Sequence, residues 1–546
     1  MKIIDKFLSS PNIPLIFSIF IYTSLCLAYF IIIIQYTDNH FVYPLDDTYV
    51  HMAIAKNFSK YGVWGIDQYK FTSTSSSPLW TLILSITYFI FGVNDYSPLI
   101  LNFIISLFVL YYLNRYAKLY NLNNYETFTL LVMAIFFIPL IVLTFLGLEH
   151  TLHCLLILLF INAFIQYDSN NTNVEKKNSQ FKKMLIMIPF LVMTRYESLF
   201  PISAVILVTL YRKNFSNSLK IILITILSIL IYGLISIKNG WYLFPNTLFL
   251  KSNFSIPPQI DLYLITFKSL IKFLFKIKNL LLIVLPALFL VILIKINFQI
   301  RRDAFIYFFI LILSFVFHLL FAKFGWFYRY ETYLILMGMV LIFFISKRYV
   351  IKINPFNSRI YNFINKTILN LLLILVIYNF IEREYFSLRL LPQASKNIYQ
   401  QQFQMAKFIS KYFNNYTIAL NDIGAVCYYA DVRCIDLFGL ANLDVLNAKR
   451  SKIYNTSFIE KLVNRENVKL AIIYDTWFQG KISPPESWIK IGEWKIYENV
   501  ICGSDIVSFY IVDKFFFEDI NKKFRSYSKN LPDGISYRIN FDYPQL

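Results

Sequence analysis

Long apolar segments separated by short polar loops make up the first two thirds of the chain. Most of them approach the roughly 20 residues that a helix needs to cross a bilayer, although several are shorter. We therefore predict a membrane all-α fold with about 11 transmembrane helices. The predicted spans are 12–34, 97–113, 127–145, 151–166, 184–194, 199–211, 220–237, 280–294, 304–321, 332–346 and 367–381.

Two further apolar segments favour the membrane interface over a crossing. Residues 78–91, in the first outer loop, are too short to span the bilayer. Residues 263–279 carry lysines at helical spacing, which places cations on one face of a surface helix. The spans 184–194 and 199–211 are interpreted as a short hairpin, because a single merged helix would put the later basic loops on the outer side.

The composition changes after about residue 382, where charged and polar residues become frequent. Short apolar runs at 417–420, 469–475 and 508–513 alternate with helical patterns such as 401–412, which is typical of an α/β or α+β domain. We therefore predict two domains. They are a transmembrane domain over 1–381 and an extracytoplasmic soluble domain over 382–546.

Composition and charge agree with a membrane protein. Hydrophobic residues make up 57% of the chain and charged residues only 15%, which is too apolar for a water-soluble globule. The net charge of +20 comes mainly from short loops, so the positive-inside bias explains it better than nucleic-acid binding. We predict a multi-pass protein of the bacterial inner membrane, in contact with membrane lipids, with an active site that faces the periplasm and no nucleic-acid partner.

Polar residues that interrupt the apolar sequence fall in five loops of the predicted outer side. These loops carry acids, bases and aromatic residues, whereas the inner loops contain mainly Lys, Arg and Asn. This sorting indicates one outward-facing polar cavity at the membrane boundary. The loops are YPLDDTYVHMAIAKNFSKYGVWG (43–65) with STSSSPLW (73–80), GLEHT (147–151), TRYES (194–198), NGWYLFPNTLFLK (239–251) and KFGWFYRYE (323–331).

The tandem acids Asp46 and Asp47 are the strongest catalytic candidates. Apolar residues recur at helical spacing after them, and a short helix is predicted to begin at the acids and end at Gly62. Carboxylates at a helix N-terminus stay ionised because the helix dipole favours negative charge there. The alternative is that one of the two acids only caps the helix.

Other outer loops contribute candidate binding groups. Arg195, Lys251 and Arg329 could hold a lipid phosphate, although mutual pairing with Glu197 or snorkelling would also explain such residues. Aromatic residues in these loops could stack on sugar faces or belong to an interfacial belt. The predicted substrate-binding residues are Glu149, His150, Glu197, Trp80, Asn246 and Tyr328.

The sequence contains no P-loop, nucleophile elbow, zinc motif or dinucleotide fingerprint, so no cofactor is assigned. The paired acids could instead hold a divalent cation that grips a phosphate. Cys427, Cys434 and Cys502 lie in the polar C-terminal region, where one disulfide could form in an oxidising compartment.

Several sequence blocks resemble polytopic GT-C glycosyltransferases, particularly their arabinofuranosyltransferase-like branch. DDTYVHMAIAKNFSKYGVWG with SSPLW resembles the opening signature, and GLEH, TRYES, GWYLFPNTLFLK, GWFYRYETYL and NDIGAVCYYADVRCIDLFGLAN follow in family order. The resemblance implies a polyprenyl-phosphate sugar donor, with Asp46 as the base and Asp47 in support. Glu149 matches a second loop acid, whereas TRYES lacks the proline that usually follows this arginine.

We therefore expect a glycosyltransferase that moves a sugar, such as a pentofuranose, from the lipid donor to a cell-envelope glycan acceptor with inversion. A transporter or flippase for lipid-linked glycans is the alternative. It would also need an outward polar cavity, but neither a tandem carboxylate nor a sizeable C-terminal domain. A non-enzymatic scaffold for envelope assembly is a third interpretation.

Overall fold

The computed structural model describes residues 10–168, 173–251, 302–349, 359–478 and 482–540. Its first part is helical, as predicted. The segments 263–279 and 280–294, predicted as an interfacial helix and a span, lie outside the described residues. The helices are Ile13–Tyr36, Asp46–Tyr61, Pro78–Phe91, Ser97–Leu119, Asn124–Phe137, Leu140–Leu146, His150–Asp168, Val174–Thr194, Leu199–Tyr211, Phe215–Lys238, Asn246–Lys251, Arg302–Phe321, Thr332–Tyr349 and Arg359–Ile398.

Within the described residues, four helices are long and apolar enough to cross a membrane, or five if a bent pair of helices is counted as one span. The pair is Asn124–Phe137 with Leu140–Leu146, whose axes differ by 41°. The count of about 11 spans stays a prediction. The four single helices are Ile13–Tyr36, Ser97–Leu119, His150–Asp168 and Phe215–Lys238.

The predicted break near Arg195 is present. Val174–Thr194 ends there, and a 3-10 turn at Tyr196–Ser198 leads into Leu199–Tyr211. The first of these helices begins ten residues before the predicted apolar segment, because the Asn173 side chain caps it and the Lys-rich sequence that follows favours a helix.

The helix Asp46–Tyr61, called the first-loop helix below, begins and ends where the sequence predicts. Gly62 terminates it with a left-handed φ of 68°, which glycine adopts without steric cost. The N-cap is Leu45, and both acids lie in the first turn. The alternative that Asp46 or Asp47 serves as the N-cap is therefore wrong.

The C-terminal part contains a six-stranded sheet with the strand order β2-β1-β3-β5-β4-β6. β1 pairs in parallel with β2 and β3, and the other pairs are antiparallel. The predicted strands correspond to β1, β3 and β5, and the central β3 is buried throughout. The strands are β1 Thr417–Leu420, β2 Arg433–Asp436, β3 Leu470–Ile473, β4 Ile489–Ile496, β5 Ile506–Ile511 and β6 Ile535–Ile539, and the helices are Gln404–Tyr412, Gly424–Tyr429, Leu443–Arg450, Thr456–Arg465 and Phe517–Ser528.

The C-terminal part packs directly on the first outer loop. Lys56 of the first-loop helix donates a hydrogen bond from Nζ to the Tyr428 carbonyl at 2.8 Å. The Thr74 hydroxyl donates to the Leu440 carbonyl at 3.2 Å. All five cysteines are free thiols, so no disulfide joins them. The sheet part is therefore held against the membrane part by polar contacts at the first outer loop.

Candidate active site

All five predicted outer loops contribute to one cavity of about 490 Å³. Leu440, from the C-terminal part, completes its wall. Its lining contains both polar and apolar side chains, which is the usual character of a ligand site. The predicted site residues that line it are Asp47, Glu149, His150, Arg195, Glu197 and Arg329.

Asp47 forms an ion pair with the buried Arg329 at this cavity. The Arg329 Nη2 donates to Asp47 Oδ2 at 2.7 Å and to the Tyr330 hydroxyl at 2.9 Å. The Arg329 side chain is 3% exposed, and its Nε and Nη1 atoms have no hydrogen-bond partner in the described structure. A buried guanidinium with two unused donors is suited to gripping an oxyanion.

Arg195 has different surroundings, because two carboxylates hold it. Its Nη1 donates to Glu149 Oε1 at 2.6 Å, and its Nη2 donates to Glu197 Oε1 at 2.5 Å. The predicted alternative, in which Arg195 and Glu197 pair with each other, is therefore confirmed, and Glu149 also pairs with Arg195. Arg195 is less available to a new anion than Arg329, since its donors are already used.

Tyr330 joins the two arginines, and the sequence reasoning missed it. The Arg195 and Arg329 guanidinium carbons lie 5.3 and 4.9 Å from the centre of its ring. The His150 ring meets the same ring edge-on, with centroids 5.8 Å apart. Tyr330 follows Arg329 in the sequence, but the sequence alone does not show which way its ring points.

His51 also lines the cavity and was missed. It stands four residues after Asp47 on the first-loop helix, so helical spacing puts both on one face and could have identified it. Its Nδ1 lies 2.8 Å from the Thr81 hydroxyl, and its Nε2 lies 3.8 Å from Glu149 Oε2.

Asp46, predicted as the base, does not line the cavity. Its Oδ2 accepts a hydrogen bond from the Gly424 amide at 2.6 Å, and its Oδ1 accepts one from the Ala425 amide at 2.8 Å. A Cβ on Gly424 would lie 2.2 Å from the Asp46 carbonyl oxygen, so only glycine permits this approach. Asp46 therefore fastens the C-terminal part to the first-loop helix.

The Asp46 carboxyl also interacts with that of Asp422. Burial raises the pKa of Asp46 well above its usual range, and the charge of Asp422 adds to this effect. Burial likewise raises the pKa of Asp422, although Gln402 and Tyr474 donate hydrogen bonds to it. Two buried carboxyls in contact are most stable when they share a proton.

Replacing Asp422 with asparagine should raise the melting temperature of the purified protein, and more at pH 8 than at pH 5. A raised carboxyl pKa stabilises the fold below the unfolded value of about 4, and this stability is lost as the pH rises through the folded pKa. Asparagine can donate to Asp46 and still accept from Gln402 without a shared proton. A thermal-shift series over pH measures the effect, and a gain that does not grow with pH would contradict it.

Three predicted substrate-binding residues do not line the cavity. The Trp80 indole is buried and donates to the Gly147 carbonyl at 3.2 Å, so it serves packing. Asn246 donates to the Gly439 carbonyl at 3.0 Å, and Tyr328 stacks under Arg383 at 4.6 Å. The backbone of Lys251 ends the helix Asn246–Lys251, but its side chain lies outside the described residues.

Among the described residues, no group of three or more His, Cys, Asp or Glu side chains is arranged to hold a metal ion. The two tandem acids bind different partners, the backbone amides and Arg329. A divalent cation held by the pair would have to displace those hydrogen bonds.

Comparison with known proteins gives one family-model match over part of the chain and several similar solved structures. Residues 396–510 match the model of a domain of unknown function, DUF8728. No curated protein sequence matches the chain.

Solved structures share the architecture. ArnT from Cupriavidus metallidurans, crystallised with undecaprenyl phosphate, has a TM-score of 0.51 at 9% identity, over 90% of this chain and 97% of ArnT. Its apo state gives the same TM-score at 11% identity. The apo oligosaccharyltransferase of Archaeoglobus fulgidus has a TM-score of 0.46 at 11% identity, over 89% of this chain and 74% of its own. The ArnT match shows that the chain shares the fold of ArnT.

Proposed function

We propose that the chain is a GT-C-type glycosyltransferase that transfers a sugar from a polyprenyl-phosphate donor to a glycan acceptor. The observation that carries this proposal is the Arg329–Asp47 pair, which joins an anion-binding group to a carboxylate at one cavity. The ArnT structure of the same fold holds undecaprenyl phosphate, a lipid of the class proposed here. The proposal therefore assigns Arg329 to the lipid phosphate.

The apolar residues of the cavity suit the isoprenoid part of such a donor. They present aromatic and aliphatic surface in the same cavity as the polar side chains, so one amphipathic lipid could contact both. Burial of the isoprenoid chain would add about 25 cal/mol of binding free energy for each Å² of apolar surface removed from water. These residues are Leu199, Phe200, Phe244, Leu248, Phe249, Phe321 and Ala322.

Asp47 is the base in this proposal, in place of Asp46. Its side chain is 28% exposed and lines the cavity, whereas both carboxyl oxygens of Asp46 accept hydrogen bonds from backbone amides. Asp47 takes the proton of the acceptor hydroxyl, whose oxygen forms a bond to the anomeric carbon. The bond from that carbon to the phosphate oxygen breaks, and Arg329 stabilises the leaving phosphate. Attack opposite the phosphate inverts the anomeric carbon.

The finer assignments rest on the sequence, through the family resemblance and the sorting of basic and polar loops. They are the arabinofuranosyltransferase-like branch, a pentofuranose as the sugar, a cell-envelope glycan as the acceptor, and an active site on the periplasmic side of the bacterial inner membrane. The division into a transmembrane domain over 1–381 and a soluble domain over 382–546 belongs to the same proposal. Lys251 and Arg195 are secondary candidates for the phosphate.

Replacing Arg329 with glutamine should weaken the binding of undecaprenyl phosphate at least tenfold. A charge-assisted hydrogen bond contributes about 1.5–3 kcal/mol, and about 1.4 kcal/mol corresponds to a factor of ten in Kd. Titration of the purified protein in detergent with undecaprenyl phosphate measures this change.

Arg212→Gln is the matched control, because it breaks an ion pair of 3.0 Å with Asp168 that lies away from the cavity. Equal affinity in the two variants would contradict the proposed phosphate site. Lipid-phosphate binding without sugar transfer from any tested donor would favour the transporter interpretation.

A further inference from the structure

Four side chains of the cavity hold buried polar atoms that have no hydrogen-bond partner in the described structure. An orphaned buried polar atom costs about 1–3 kcal/mol, so native proteins rarely leave several together. Their location around one cavity points to a polar ligand that completes them. The atoms are Glu149 Oε2, His150 Nδ1, Thr247 Oγ1, and the Nε and Nη1 of Arg329.

The Arg329 atoms are assigned above to the lipid phosphate, which leaves three groups of another chemistry. Glu149 offers an acceptor, His150 an imidazole nitrogen, and Thr247 a hydroxyl that can donate or accept. Glu149 and His150 are neighbours at one turn, while Thr247 belongs to the helix Asn246–Lys251. A ligand that matches this set must present groups that both donate and accept, as sugar hydroxyls do.

The charges around these atoms discriminate between kinds of sugar. The Glu149 charge is already balanced by Arg195 at 2.6 Å. His150 packs on Tyr330, whose ring lies within 5.3 Å of both the Arg195 and the Arg329 guanidinium carbons. Arg195 also pairs with Glu197, and Arg329 pairs with Asp47, so each of these charges already has a partner. An ammonium or a carboxylate buried here would find no free counter-ion, whereas a neutral hydroxyl group needs none.

We propose that Glu149, His150 and Thr247 form the subsite for the donor sugar, and that this sugar is neutral and hydroxyl-bearing. This inference rests on the proposed function, because the lipid phosphate at Arg329 would place the sugar next to these atoms. It excludes an amino sugar and a uronic acid as the transferred group.

The test measures the affinity of the purified full-length protein in detergent for farnesyl phosphate and for farnesyl-phosphate sugars. The sugar panel contains neutral pentoses and hexoses, together with the amino and uronic counterpart of each. At least one neutral sugar should bind about tenfold more tightly than farnesyl phosphate alone, since each new hydrogen bond adds about 0.5–1.5 kcal/mol. Its amino and uronic counterparts should lose that gain.

Two variants test which residues provide the extra affinity for the neutral sugar. His150→Ala and Thr247→Val should each reduce the extra affinity for the neutral sugar at least threefold, while the affinity for farnesyl phosphate stays within about twofold. Thr247→Val keeps the side-chain shape, so it tests the subsite even where the histidine variant does not fold. A gain that survives in Thr247→Val and in a folded His150→Ala protein would overturn the inference.

The remaining outcomes separate the two proposals. If farnesyl phosphate binds through Arg329 but no neutral sugar adds affinity, or an amino or uronic sugar binds best, the subsite is wrong and the proposed function stands. If farnesyl phosphate does not bind at all, the proposed donor site fails and the subsite fails with it.

Discussion

The variant Asp47→Asn should lose sugar transfer by about 10²–10⁴-fold, which is the usual contribution of a general base. Asparagine keeps the shape of the side chain and an oxygen that accepts from Arg329, so the affinity for the lipid phosphate should change little. Transfer from a radiolabelled polyprenyl-phosphate sugar by purified protein measures the rate. Titration with undecaprenyl phosphate measures binding in the same preparation.

The neighbouring variant Asp46→Asn distinguishes the role of Asp46 from that of Asp47. Its amide nitrogen cannot accept from the Gly424 or Ala425 amide, so one hydrogen bond is lost and the melting temperature should fall. The geometry therefore predicts that Asp46→Asn acts on stability, whereas Asp47→Asn acts on the rate of transfer. Because Asp47→Asn also leaves the buried Arg329 charge without its ion pair, the rate is compared per folded protein. The reverse pattern, with transfer lost only in Asp46→Asn at an unchanged melting temperature, would restore Asp46 as the base.

Much of this architecture was readable from local sequence patterns. The first-loop helix was predicted with its bounds because its apolar spacing and Gly62 are local signals. The meeting of five outer loops followed from the alternation of basic and mixed-polar loops, since the membrane restricts where each loop can lie. His51 was within reach of the same reasoning, because it stands one helical turn from Asp47.

The choice between two adjacent acids could not be read in this way. Consecutive residues on a helix point about 100° apart, so Asp46 and Asp47 face different neighbours. Which of them faces the cavity depends on what packs against the helix, and that is Gly424, 378 residues away in the sequence. The position of Trp80 could not be predicted for a similar reason. An aromatic residue in a polar loop reads as a ligand platform until its packing partner, here the Gly147 carbonyl, is known.

The contact between Gly424 and Asp46 gives the second large prediction. In Gly424→Ala the new methyl carbon would lie 2.2 Å from the Asp46 carbonyl oxygen, a backbone atom that cannot rotate away. Either the first-loop helix or the C-terminal part must shift, and Asp47 moves with the helix. A displacement of about 1 Å at a catalytic group can cost about 10²-fold in rate. We therefore expect a lower melting temperature and a loss of transfer of more than tenfold, measured by thermal shift and by the transfer assay.

Gly240→Ala is the matched control, because a methyl group there meets nothing within 4 Å. Its φ of +80° is left-handed, so the control carries a cost of about 1 kcal/mol for backbone strain, but no clash. It should therefore lose some stability while retaining transfer. The two glycines then distinguish a general effect of added side chains from a specific displacement of Asp47. Gly424→Ala protein with a wild-type rate and melting temperature would mean that the C-terminal part does not position the first-loop helix.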